Sequence, residues 1–288
     1  DSTRPERKSP SSKRVIIFSP HPDDDVVSMG GTFDRLVSQG HEVHISYQVR
    51  GNIAVSDHDA LKFIEVSKDM FENDSKVPVS ELIKELKNNK PDKIDSQSVR
   101  NLKGFIRKRE AIAATRYIGI PDSNTHFMNL PFYDTGRIKK NPPTKKDVLI
   151  TASLIKKIKP HQIFAAGDLE DPHGTHKVCL DIILNALDTL KGEKFIKDCW
   201  LWLYRGAWLD WDIHDIDMAV PMSPAQVLRK RKAIFFHQTQ KDGVMFQGQD
   251  LREFWVRAEE RNSETAEKYK NMGLADYAAI ESFKRHYY

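Results

Sequence analysis

Val15-Ile16-Ile17-Phe18-Ser19-Pro20-His21-Pro22-Asp23-Asp24-Asp25 is the stretch on which the reading of this chain turns. Its first four residues form a short apolar run, rich in β-branched side chains and without polar alternation. That is the pattern of a strand buried on both faces of a parallel sheet. Helical spacing of apolar residues follows from Val26 to Ser38, where Gly40 stops it, and Glu42 to Val49 reads as a second strand. Strand, helix and strand in this order make a βαβ unit.

Working outward, helical spacing recurs over 60–72, 80–87, 99–117, 145–157, 175–190, 224–236 and 251–269, while 126–130, 162–166 and 199–204 read as strands. The alternation predicts an α/β domain over 15–288: a Rossmann-like, three-layer, doubly wound and mostly parallel sheet, with ligands beyond the carboxyl ends of the strands. Residues 1–14 hold two prolines and four serines, bury almost nothing and read as a flexible linker or tail. The chain opens at Asp1 with neither an initiator Met nor a leader pattern, and the expectation is a fragment or a processed chain.

Composition narrows the function. Of the net charge of +4, residues 1–14 supply +3 (five cations against two acids), which leaves a body near neutrality with no basic face built for nucleic acid. No apolar run approaches the length of a membrane span. Cys179 and Cys199 are too few for a disulfide framework, so a reducing cytoplasm is the expected compartment. Cys179 sits in an apolar helical stretch and reads as core packing, not as a metal ligand.

After the first strand come an imidazole and three carboxylates, His21, Asp23, Asp24 and Asp25, in a loop stiffened by Pro20 and Pro22. A helix N-terminus explains one aspartate as a cap and a second through the dipole, but not three with a histidine. A similar cluster, Gly167-Asp168-Leu169-Glu170-Asp171-Pro172-His173-Gly174-Thr175-His176, follows the strand at 162–166 and leads into another helix. The spacing of His173 and His176 puts both near one face if that turn is helical. A hydrolytic zinc site needs three ligands from His, Asp and Glu, an open position and a nearby carboxylate to take a proton, and the two loops together offer all of these. The same donors suit other divalent first-row metals. A nucleotide-binding reading is disfavoured, because acids replace the glycine-rich phosphate loop.

On these residues the chain resembles the PIG-L or LmbE family, zinc-dependent deacetylases of N-acetylglucosamine-type sugars. Pro20-His21-Pro22-Asp23-Asp24-Asp25 is similar to the family's first loop, with Asp25 one methylene shorter than the usual Glu. His173-Gly174-Thr175-His176 is similar to its distant His-x-x-His, and Arg107-Lys108-Arg109-Glu110 leading to Ile118-Gly119 to its Arg-x-x-Glu helix. Tyr133-Asp134-Thr135-Gly136 and the stretch from Arg229 to Gln240 with His237 complete a likeness over about residues 14 to 240. The resemblance implies an LmbE-like fold, with His21, Asp24 and His176 as ligands of Zn2+ and Asp23 as general base. His173, held protonated by its acidic neighbours, would stabilise the oxyanion, Arg107 and Asp134 would contact the substrate, and His237 would be structural. The implied reaction releases acetate from an amino sugar. A likeness to proteins that carry a glucosamine-6-phosphate deaminase domain ahead of this one implies a phosphorylated substrate and an upstream fused domain. A second reading keeps the fold without catalysis, as a metal- or sugar-binding module that regulates a fused or partner amino-sugar enzyme. The long polar segment 69–98 reads as a lid or an oligomer contact, and a homo-oligomer stays open.

Overall fold

The computed structural model describes residues 13–70, 79–88, 94–137, 139–171, 173–206, 208–241 and 252–288. Of the linker expected over 1–14, residues 1–12 lie outside them, as do parts of the 69–98 segment, whereas Arg14 begins the first strand. Strand β1 (Arg14–Ser19) pairs in parallel with β2 (Glu42–Tyr47) on one side and β4 (Gln162–Ala166) on the other. Strands β3 (Thr125–Phe127) and β5 (Trp200–Tyr204) extend the parallel part outward on its two sides. Two strands absent from the sequence reading, β6 (Met218–Met222) and β7 (Ala279–His286), add an antiparallel edge. The order is β3-β2-β1-β4-β5-β7-β6, so the sheet is mostly parallel as expected.

The apolar run of β1 serves both faces. Val15 and Ile17 pack with Phe33 of α1 (Asp24–Ser38), Ala111 and Ile118 of α4 (Gln97–Ile118), and Ala233 of α7 (Pro224–Ile234). Ala258 of α9 (Phe254–Asn271) belongs to the same cluster. Ile16 and Phe18 point the other way, onto Ile155 of α5 (Lys145–Ile158) and Ile183 of α6 (Thr175–Thr189). These are the three layers: helices, sheet and helices. Beside them, α2 (Asp57–Met70) and α3 (Val79–Lys87) bury Ala60, Ile64, Leu82 and Leu86 with Val99 and Ile106 of α4, so the described part of the 69–98 segment includes a packed helix. The short α8 (Gln238–Lys241) follows α7. No helix of the described residues is long and apolar enough to cross a membrane.

The Gly30-Gly31 pair in α1 belongs to packing. At Met29 the helix departs from helical angles (φ −135°, ψ 27°). The Gly31 and Thr32 N–H groups next to this break donate to the Glu281 carboxylate of β7 at 2.9 and 2.6 Å. A Cβ on Gly31 would overlap the Met222 sulfur, so glycine lets β6 come this close. Glu281 also holds Lys230 at 2.8 Å, with both side chains 1% exposed. Removing one partner of such a pair leaves the other charge buried without compensation. Glu281→Ala is therefore expected to cost about 3–5 kcal/mol in a urea melt. A loss below about 1 kcal/mol, the level of a surface ion pair, would show that water replaces the carboxylate at no great cost.

Candidate active site

Strands β1 and β4 are parallel neighbours, in register from Val15 opposite Gln162 to Ile17 opposite Phe164. Their carboxyl ends therefore deliver the His21–Asp25 loop and the Asp168–His176 loop to the same place. This is the crevice beyond the strand ends of a doubly wound sheet, with β2 and β3 on one side of β1 and β4 and β5 on the other. The cleft found there is lined by His21, Asp23, Asp24, Arg107, His173 and His176. Of the residues singled out in the sequence, Asp134 stands apart: it lines an adjoining hollow that shares Tyr133 with the cleft.

At the centre is the Asp24 carboxylate, the first residue of α1. Its Oδ2 lies 3.2 Å from His21 Nδ1, 3.2 Å from His176 Nε2 and 2.8 Å from the His21 backbone N–H. The second nitrogen of His176, Nδ1, is 2.7 Å from the Asp168 carbonyl. A carbonyl only accepts, so Nδ1 carries a proton, and Nε2, which faces Asp24, is the nitrogen that would give its lone pair to a metal ion on losing its own proton. A carbonyl or carboxylate behind the imidazole is the usual support for a metal-ligating histidine. His21, Asp24 and His176 each offer a ligand atom, and these atoms lie within 4.8 Å of one another.

The electrostatics agree with a site for a cation. Burial works against the charged form of Asp24, yet His176 and His21 hold its carboxyl well below the ordinary carboxylate range. Burial likewise opposes charge on His176, and Asp24 outweighs it, raising the imidazole to about 10. Two nitrogens and an oxygen around a point that favours positive charge fit a divalent first-row metal ion.

Asp23 faces the cleft beside this centre and accepts a hydrogen bond from Arg107 Nη2 at 3.0 Å. Burial raises its pKa, with Arg107 acting in opposition and Asp24 adding to the rise. Arg107 is not the helix-surface cation its place in α4 allows: it is 1% exposed, and its Nε and Nη1 have no hydrogen-bond partner among the described residues. Gly51, at φ +63°, makes room for it, because a Cβ there would sit 3.2 Å from Arg107 Nε and 3.1 Å from Pro22. Asp25 points away from the cleft, bonded by Tyr47 Oη at 3.1 Å and paired with Ser19 Oγ at 3.2 Å. Burial, with the charge of Asp23, lifts it to about 7.

His173 precedes α6, which starts at Thr175 after Gly174 in a left-handed conformation, so the two histidines do not share a helical face. The expectation of a protonated His173 also needs correction. Burial lowers its pKa, His21 lowers it further, and Asp171 compensates only in part. The Asp171 carboxylate is instead spent on the N-terminus of α6, accepting from Thr175 N at 2.8 Å and His176 N at 3.1 Å.

The sequence reading gave no role to four other walls of the cleft. Tyr133 and Gln240 stand in stretches quoted for the resemblance, whereas Trp208 and the first residue of α9, Phe254, belong to no motif. Asp168 places Trp208 by accepting its backbone N–H at 2.6 Å. Glu110, the acid of the Arg-x-x-Glu segment, binds Thr239 through both its N–H and its hydroxyl at 2.8 Å, which docks α8 and Gln240 against the site. His237 is buried beside them, and neither ring nitrogen has a hydrogen-bond partner among the described residues. Burial, with Arg107, keeps it neutral.

The chain is 50% identical, over 98% of its length, to a glucosamine-6-phosphate deaminase-like protein of Bacteroides thetaiotaomicron, and it spans 44% of the length of that curated relative. Among solved structures it is similar to N,N'-diacetylchitobiose deacetylase from Pyrococcus horikoshii (TM-score 0.57, 18% identity, 96% of this chain and 84% of that one). It is also similar to 4-carboxy-2-hydroxymuconate hydratase from Pseudomonas putida (TM-score 0.58, 14% identity, 96% and 97%). At such identities both likenesses speak to the fold. Residues 16–187, from β1 through nearly all of α6 and including both loops of the cleft, match the PIG-L family, described as GlcNAc-PI de-N-acetylase, and this chain belongs to that family.

Proposed function

We propose that this chain is a zinc-dependent N-deacetylase, hydrolysing the acetamide of an N-acetylglucosamine-type sugar to acetate and the free amine. The observation that carries the reading is the meeting of His21, Asp24 and His176 beside a separate carboxylate, Asp23, in a chain of the de-N-acetylase family. The name of its curated relative, which concerns an amino-sugar phosphate, supports an amino sugar as substrate, and the 44% share of that relative which this chain spans is compatible with the fused domain the resemblance implies.

His21, Asp24 and His176 would hold the metal ion. When bound there, zinc supplies a Lewis acid for the acetamide carbonyl and makes water a stronger acid. Asp23 takes a proton from the attacking water and returns it to the departing amine nitrogen. Arg107 Nη2 holds that carboxylate in place, and its guanidinium forms part of the cleft wall that the sugar meets. His173, as a neutral imidazole, donates its N–H to the oxygen on which negative charge develops. Asp134, at the outer edge, accepts from a sugar hydroxyl.

The fold alone also serves a hydratase, so the assay must read the amide bond itself. Acetate release is measured on a panel of N-acetylglucosamine derivatives with the chelator-treated and the zinc-restored protein. Release that disappears with the metal and returns with it is the expected result. Silence across the panel from metal-loaded protein would reject deacetylation in favour of a binding module.

A further inference from the structure

The hollow next to the catalytic cleft contains charges that the proposed chemistry does not use. It measures about 290 Å³, is walled by Arg50, Asn129, Tyr133 and Asp134, and meets the cleft at Tyr133. The Lys140 ammonium lies 3.7 Å above the Tyr133 ring, and its charge reaches His173. Arg50 donates to Asn101 Oδ1 at 2.9 Å and to Asn129 Oδ1 at 3.3 Å, so two amide oxygens orient its guanidinium without neutralising it. Lys140 donates to the Arg137 carbonyl at 2.7 Å, again a neutral acceptor.

Two nearby cations are matched with acids, Arg107 with Asp23 and Lys103 with Asp57 and Asp95, whereas Lys108, which lines a hollow with Arg50, lies over the Phe127 ring. Among the described residues, no carboxylate lies within ion-pair distance of Arg50 or Lys140. Asp134 acts on Lys140 only from farther away and is itself exposed. Arg50 in the wall of the hollow and Lys140 on the Tyr133 ring that forms part of that wall, both half-buried and held by neutral acceptors, offer positive charge to a compact anion against the single carboxylate of Asp134. Arginine suits phosphate through its paired N–H groups and lysine through its point charge.

From this we infer that Arg50 and Lys140 bind the phosphate of a phosphorylated N-acetylamino sugar whose acetamide lies at the catalytic centre, an inference that rests on the deacetylase reading. Tyr133 walls both spaces, so a sugar that spans from one to the other passes its edge. No bond is made or broken at this subsite: it selects the substrate and fixes its outer end.

The test is calorimetric titration of the zinc-loaded protein with the products glucosamine 6-phosphate and glucosamine, and with inorganic phosphate alone, which frees the result from turnover. Arg50→Gln and Lys140→Gln are titrated in parallel. Glucosamine 6-phosphate is expected to bind more tightly than either other ligand, and each substitution to weaken it about tenfold, the worth of one charge-assisted hydrogen bond. Glucosamine is the control for a general loosening of the cleft. Equal affinity of the two sugars, equal losses for both in the variants, or phosphate binding as tightly as the sugar phosphate would each overturn the inference. Acetate release from the corresponding N-acetyl sugars is read on the same samples. A phosphate preference without acetate release would preserve the anion subsite and reject the deacetylase reading, whereas release without preference would do the reverse.

Discussion

Asp23→Asn protein is expected to retain its metal while kcat falls by about 10²- to 10⁴-fold, the usual contribution of a general base. The substitution is nearly isosteric, and its side-chain oxygen can still accept the Arg107 Nη2 hydrogen bond that Asp23 receives at 3.0 Å. Cleft shape and the burial of Arg107 should therefore persist. What is lost is an oxygen able to take a proton. Asp23 is not among the three residues whose ligand atoms converge, so metal content measured by atomic spectroscopy should equal that of the wild type. Turnover above about a tenth of wild type would assign the proton to another group, because a true base cannot be replaced by an amide at so small a loss.

The parallel part of the fold was legible because β1, β4 and β5 carry apolar runs that burial on both faces explains and β2 alternates with β-rich residues, with helical spacing between them. The antiparallel edge was not. Strand β6 holds Pro221, which breaks a strand reading and is tolerated because β6 ends the sheet. Strand β7 carries Glu281, Lys284 and Arg285, and its polarity looks like a surface segment until the Glu281 carboxylate is seen on the break in α1 and on Lys230. The chemistry was legible where ligand-type residues crowd together after a strand, as in His21–Asp25 and Asp168–His176. It was illegible where single residues arrive from distant parts of the chain with no motif around them, as with Trp208 and Phe254. Arg107 could be selected by motif, but its burial could not be foreseen: α4 carries charge all around, and only the fold turns that position inward. The charge of His173 was misjudged for the complementary reason. Sequence lists its acidic neighbours, but not that Asp171 is engaged with backbone N–H groups of α6.

One residue further along the same turn, Asp24→Ala should fail in the opposite way, by losing the metal itself. Asp24 Oδ2 is the atom on which His21 Nδ1, His21 N and His176 Nε2 converge at 3.2, 2.8 and 3.2 Å. Alanine removes the anionic member of the ligand set and leaves two imidazoles that no longer share a counter-charge. The His21 backbone N–H also loses its acceptor, so the loop that aims this imidazole loosens. Changing groups that merely support a ligand typically costs about 10- to 100-fold in metal affinity, so deleting the charged ligand should cost more than about 100-fold. Chelator competition reads this directly, and acetate release should fall with metal occupancy. Excess zinc should restore part of the activity in Asp24→Ala and none in Asp23→Asn. The two adjacent carboxylates differ in task because the first turn of α1 directs Asp24 between the histidines and leaves Asp23 to Arg107. If Asp24→Ala keeps zinc at wild-type affinity, the ion sits elsewhere, and the roles proposed for His21 and His176 fall with it.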